Sequence, residues 1–120
     1  LDSGLIQRAV ENVVRNAMRY TAEGTAVEIS IVKEAQCVRV LIKDRGPGVP
    51  EKVIEDIFKP FFRVGDSGSA HSGTGGIGLA IAERSIRLHD GTIKARNRKE
   101  GGLCVEIVLP GNHIVQTLSH

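Results

Sequence analysis

Asn12 and Asn16 lie one helical turn apart inside an otherwise apolar repeat, and no other feature limits this chain as tightly. Leu5, Ile6, Ala9, Val10, Val13, Val14 and Ala17 recur at helical spacing, so residues 3 to about 20 are expected to form an amphipathic helix, capped by Asp2 or Ser3. Asparagine is a poor helix former, and two within one apolar pattern weaken the helix unless their amides have work to do. Arg19 and Tyr20 follow at offsets of three and four from Asn16, which stacks all four side chains along one side. Three further clusters come in order: Asp44-Arg45-Gly46-Pro47-Gly48, then Phe58-Lys59-Pro60-Phe61-Phe62-Arg63, then Gly73-Thr74-Gly75-Gly76-Ile77-Gly78-Leu79. Each is weak by itself, but their order and spacing are specific.

Between the clusters the chain alternates in a way that suits one small α/β domain. Val27–Val32 reads as a strand with Val27, Ile29 and Ile31 on one face, and Cys37–Lys43 as its hairpin partner across Lys33-Glu34-Ala35-Gln36. Gly46-Pro47-Gly48 breaks the pattern, and Pro50 suits the first turn of a short helix through Ile57. A long loop is expected from Phe58 to Gly75, a helix from Gly76 to His89, and strands at Thr92–Arg96 and Leu103–Leu109. All three phenylalanines fall between Phe58 and Phe62, so that stretch anchors the loop. A net charge of +2 gives no dominant basic face for nucleic acid or a membrane surface, and no apolar run approaches the roughly 18 residues of a spanning helix. Cys37 and Cys104 match no zinc or redox spacing, and both are expected to be buried thiols.

The residue types suggest nucleotide chemistry, with plainer alternatives beside them. The amide oxygens of Asn12 and Asn16 suit a hard cation and nearby phosphates, or simply face water. Asp44, at the end of a strand, can accept from an exocyclic amine while Gly46 and Gly48 let a flat ring approach, or the segment is an ordinary Asx turn. Glycines running into a helix start make an anion site. The Walker pattern is absent, and no strand precedes Gly73 as a dinucleotide fingerprint requires.

Over Asp2 to Pro110 the chain resembles the catalytic, ATP-binding domain of bacterial sensor histidine kinases, the Bergerat-type fold shared with gyrase and MutL. Asn12-Val13-Val14-Arg15-Asn16-Ala17 with Arg19-Tyr20-Thr21 is similar to the N box, Asp44–Val49 to the G1 box, Ile57–Arg63 to the F box and Gly73–Leu79 to the G2 box. The wording leans toward envelope-stress sensors of the Cpx type. The resemblance implies a two-layer α/β (α+β) sandwich, with a mixed, largely antiparallel sheet covered on one face by three helices and a flexible ATP lid. Residues 1–110 would be the catalytic domain and 111–120 a tail. Asn16 would be the protein ligand of Mg²⁺, with Asn12 beside the triphosphate, Arg19 on phosphate oxygens and Tyr20 near the base. Asp44 would bind the adenine amino group, with Gly46, Gly48 and Val49 around it and Ile57 and Phe58 close by. Lys59 and Arg63 would reach the phosphates from the lid. Thr74 and Gly75 lie in the lid, and Gly76, Ile77, Gly78 and Leu79 would offer backbone N–H groups at the helix start.

The chain makes two departures from the family pattern. Thr74 and Gly75 stand exchanged, and Leu103 replaces a threonine after Gly101-Gly102, removing a hydroxyl from the adenine edge. The family's phosphoacceptor histidine segment is absent, and His89-Asp90 reads as a helix end. The resemblance therefore implies a protein-histidine kinase domain that binds ATP and Mg²⁺ but meets its substrate on a separate dimerisation domain and serves a response regulator. It would sit on the cytoplasmic side of an inner-membrane sensor without touching the membrane or nucleic acid. An anti-sigma-type serine kinase and a nucleotide-sensing module without transfer are the alternatives. Asn12 stands where gyrase-type relatives carry a glutamate base, and an amide cannot take a proton from water, so hydrolysis is expected to be slow.

Overall fold

The computed structural model describes residues 3–62 and 72–111, with side chains in the last helix described from residue 77 onward. Helix α1 spans Ser3–Tyr20 and buries Ile6, Ala9, Val13 and Ala17, the stripe that the periodicity predicts. Arg19 in its last turn complements the helix dipole. Strands β1 (Glu28–Lys33) and β2 (Cys37–Lys43) form an antiparallel hairpin. A 3-10 helix, η1, covers Glu51–Phe58 with Pro50 as its N-cap, and α2 covers Ser72–Leu88. Strands β3 (Thr92–Asn97) and β4 (Leu103–Pro110) close the fold as a second hairpin.

The sheet order is β1-β2-β4-β3, so the connection from β2 to β3 carries η1 and α2 across one face before β4 returns beside β2. All three pairings are antiparallel. The expected mixed, largely antiparallel sheet is thus purely antiparallel among the described strands, beneath the three expected helices. β2 alternates strictly, with Val38, Val40 and Ile42 buried toward the helices, where they meet Val105, Ile107 and Leu109 of β4 and Ile6, Val13, Ala82 and Ile86 of the helices. The open face carries Arg39, whose guanidinium pairs with Glu34 and Glu106, while Arg96 reaches Glu106 from β3.

Three expectations change. α2 begins at Ser72, four residues before the predicted start, so the loop expected from Phe58 to Gly75 gives up its last residues to the helix. Burial of Leu79, Ala82 and Ile86 anchors α2, and once anchored a helix gains a hydrogen bond with each added residue. That gain offsets a glycine cost of about 1 kcal/mol each. β1 is exposed along its whole length, with Ile29 and Ile31 open although they pair with the buried Ile42 and Val40, because α1 packs on β2 and leaves this edge uncovered. Cys104 is buried as expected, but Cys37 is only half-buried, and its thiol donates to Glu34 Oε1 at 3.0 Å. Arg63, His71, most of the expected lid (64 to 75) and the tail from 112 lie outside the described residues.

Candidate functional site

The end of β2 and the end of α1 meet at one corner. Asp44 N–H donates to Leu103 O at 3.0 Å, continuing the β2–β4 ladder by one residue, and its side chain turns into the protein, only 4% exposed. There Asp44 Oδ1 accepts from Gly46 N at 2.8 Å and Leu103 N at 3.0 Å; Oδ2 takes no part in either bond. Arg45 N donates to Thr21 Oγ1 at 2.9 Å and Ala22 N to Arg45 O at 3.3 Å, which fastens the corner to the chain leaving α1. An Asx turn therefore exists at Asp44, as the plainer reading holds, and the carboxylate faces a cavity as well.

That cavity, of about 250 Å³, is lined by Asn16, Tyr20, Asp44, Pro47, Gly48, Val49, Ile57, Phe62, Leu79 and Leu103. Its walls are largely apolar, and among the described residues Asp44 is the only charged side chain lining it. A second cavity of about 210 Å³ is lined by Asn12, Arg15, Asn16, Arg19, Ile77, Gly78 and Ile81. Among the described residues it holds two guanidinium groups and no carboxylate. The cavities meet at Asn16, which lines both. The paired site is apolar with one hydrogen-bond acceptor at one end and cationic at the other, the profile of a ring joined to a polyanion. Arg15 Nη1 donates to Asn12 Oδ1 at 3.4 Å, so the first asparagine is already engaged. Glu11 is exposed and lines neither cavity, as its place round the helix requires.

Among the described residues no group of three or more His, Cys, Asp or Glu side chains gathers to hold a metal. Oxygen ligation by one amide, completed by phosphate and water, is what Mg²⁺ accepts, and Asn16, which lines both cavities, offers such an amide.

Several side chains differ from expectation. Gly46 lines neither cavity; a Cβ there would lie 2.2 Å from Tyr20 O, so this glycine lets β2 pass the end of α1 rather than admit a ring. Gly48 does line the first cavity, yet its φ of +75° and a would-be Cβ 2.6 Å from Asn97 Oδ1 give it a separate reason to be glycine. Phe58 is buried against the core and borders a different groove; Phe62 takes the cavity wall. Lys59 pairs with Asp56 at 2.8 Å, which raises its pKa, and lines neither cavity. Gly76, Ile77, Gly78 and Leu79 lie inside α2, so their N–H groups are not at its start; Ile77 and Gly78 line the cationic cavity instead, and Leu79 the apolar one. Thr74 and Gly75 fall in the first turn of α2, where side chains are outside the description.

Residues given no individual role beforehand complete the site: Arg15 and Ile81 in the cationic cavity, Pro47 and Phe62 in the apolar one, and Asn97 and Arg98 behind it, while Leu103, noted for its missing hydroxyl, also lines the apolar cavity. Arg15 carried a legible signal, lying three residues after Asn12 on the same helix face. Asn97 and Arg98 carried none, being about fifty residues distant in sequence from what they hold.

The likenesses to known proteins agree with this geometry. The chain is 39% identical over 105 residues to the sensor histidine kinase CpxA of Escherichia coli K12, covering 88% of this chain and 22% of that protein. It is 41% identical over 111 residues to the sensor protein PfeS of Pseudomonas aeruginosa, covering 92% of this chain and 23% of that one. The chain thus spans about a fifth of the length of these curated relatives. The mycobacterial sensor histidine kinase MprB superposes with a TM-score of 0.83 at 30% identity, over 93% of this chain and 76% of that one. A family model described as "Histidine kinase-, DNA gyrase B-, and HSP90-like ATPase" matches residues 1–113. With the fold, the two-part cavity and this match over nearly its whole length, the chain belongs to the histidine kinase-, gyrase B- and HSP90-like ATPase family.

Proposed function

We propose that this chain is the ATP-binding catalytic domain of a sensor histidine kinase, which transfers the γ-phosphoryl group to a histidine on a separate helical dimerisation domain. The observation that carries the reading is the meeting at Asn16 of an apolar cavity with one buried carboxylate and a cavity with two arginines. Residues 1–110 form the catalytic unit and 111–120 a tail. The relatives matched bear sensor-kinase names, which favours histidine over serine as acceptor.

Asp44 accepts the adenine amine while Leu79, Val49, Ile57 and Leu103 enclose the ring, and Tyr20 covers it from the end of α1. Arg19 and Arg15 face the phosphates, with Asn12 beside them. Asn16 would hold Mg²⁺, whose charge would offset that of the phosphate oxygens. An imidazole nitrogen attacks the γ-phosphorus in line, the bond to the bridging oxygen breaks, and ADP leaves with that electron pair. Among the described residues no carboxylate lines the cationic cavity to activate water, which favours survival of the nucleotide until the histidine arrives. Catalysis then rests on positioning and charge.

Among the described residues no helix is long and apolar enough to cross a membrane. Placement on the cytoplasmic side of an inner-membrane sensor, with a response regulator as final recipient, follows from the kinase reading. The test is to add the purified dimeric helical domain of a matched sensor kinase with Mg-ATP and measure protein-bound phosphate. Acid-labile, alkali-stable phosphate on the histidine is expected. Acid-stable phosphate, or ATP binding without transfer to any such domain, would overturn the assignment.

A further inference from the structure

The base cavity is framed from behind by the end of β3 and its turn into β4. Asn97 is the last residue of β3, and its side chain reaches across to the loop after Asp44. Val49 N–H donates to Asn97 Oδ1 at 2.9 Å, and Asn97 Nδ2 donates to Val49 O at 2.6 Å. One planar amide thus takes both backbone groups of Val49, as a neighbouring strand would. Nδ2 also donates to Glu51 Oε2 at 2.8 Å, where η1 begins. The next residue, Arg98, is largely buried and donates from Nη1 to Asp44 O at 2.8 Å. Leu103 N, beyond the same turn, holds Asp44 Oδ1. Two adjacent side chains therefore fix two parts of one cavity: Arg98 fixes the strand end that carries its acceptor, and Asn97 fixes the wall made by Gly48 and Val49.

We propose that Asn97 is a specificity-determining positioning residue for the nucleotide base, setting where the Val49 wall stands relative to the Asp44 carboxylate. This rests on the ATP reading above. Adenine offers an amine at the edge where guanine offers a carbonyl, so a fixed carboxylate attracts one and repels the other. Guanine can present its own exocyclic amine to Asp44 only by shifting within its plane. A wall held at both backbone groups by Asn97 resists any displacement that such a shift would demand. Gly48 follows from the same contact, since a Cβ at that position would collide with Asn97 Oδ1 at 2.6 Å.

The test compares ADP with GDP by calorimetry, with Mg²⁺ and with EDTA, for the wild type, Asn97→Ala, Asn97→Asp and Asn97→Asp combined with Glu51→Gln. Asn97→Ala is expected to weaken ADP about tenfold in both buffers, the scale of roughly one net hydrogen bond. GDP is expected to hold or improve, so that the ADP:GDP preference falls at least by that factor. Asn97→Asp keeps the acceptor for Val49 N–H but loses both Nδ2 bonds and faces Glu51, and its preference should fall as well. Adding Glu51→Gln supplies a donor to the new carboxylate and should restore part of the preference. Equal weakening of ADP and GDP, or an unmoved ratio in folded variants, would overturn the proposal. If neither single variant folds by circular dichroism, Asn97 is a structural residue and the proposal likewise fails. A wild type that binds no ADP would instead sink the nucleotide reading itself, so the two failures are distinguishable.

Discussion

At the scale of single residues, Asp44 and Asn16 serve different ends of one ligand, and their substitutions should separate. Asp44→Ala removes the acceptor for two backbone N–H groups, those of Gly46 and Leu103. It is expected to lower stability by about 1–3 kcal/mol and to weaken ATP and ADP alike, with or without Mg²⁺. Asn16→Ala should weaken only the Mg²⁺-dependent part of ATP affinity. Calorimetry in metal-free and Mg²⁺ buffers checks both, and equal losses for the two variants in metal-free buffer would contradict the assigned roles. Gly46 makes a different prediction because its neighbour is backbone. A methyl group 2.2 Å from Tyr20 O has nothing flexible to push aside, so Gly46→Ala must move the corner away from α1. A loss of about 1–3 kcal/mol in urea unfolding is expected.

Among the elements, α2 does most to join the layers. Ile86 is fully buried between the sheet and α1, and Ile86→Ala should cost about 2–5 kcal/mol, a large share of the ordinary stability of a domain of this size. The β1–β2 hairpin depends on polar contacts instead, since β1 buries nothing. Hydrogen bonding from the Cys37 thiol, and then from Arg39, holds the Glu34 carboxyl below its ordinary pKa. A depressed folded pKa means that this contribution is full above the ordinary carboxylate value and lost as pH falls through the folded one. Glu34→Gln should therefore be somewhat less stable than wild type at pH 7, with the difference shrinking as pH falls below the ordinary carboxylate range, measured by denaturant unfolding across that pH series. The bond to Glu34 in turn raises the Cys37 pKa, so the same variant should speed alkylation of Cys37 at mildly alkaline pH.

For the whole molecule, binding is also stabilisation. Mg-ATP at a hundred times its Kd should add about 2.7 kcal/mol, a rise of roughly 10 °C in Tm for a chain of this length. Asp44→Ala, by weakening binding, should shrink the rise at the same Mg-ATP concentration in a thermal shift measurement. Periodicity was enough to place α1, β2 and β4, because one side of each is buried and burial repeats with the element's own geometry. Local chemistry also marked the amides of α1 and the carboxylate at the end of β2, which need only a helix face and a strand end to be recognised. The start of α2 was less legible, because glycine disfavours a helix locally while the buried Leu79, Ala82 and Ile86 stabilise it from farther along. Tertiary contact alone decided that Phe62 lines the cavity while Phe58 enters the core, that Gly46 serves chain passage, and that Asn97 and Arg98 stand behind the base wall. The physical reason is the range of the forces involved. Backbone geometry imposes its repeat within a few residues and so is written locally, whereas a hydrogen bond between Asn97 and Val49 exists only after the sheet has brought two distant stretches together.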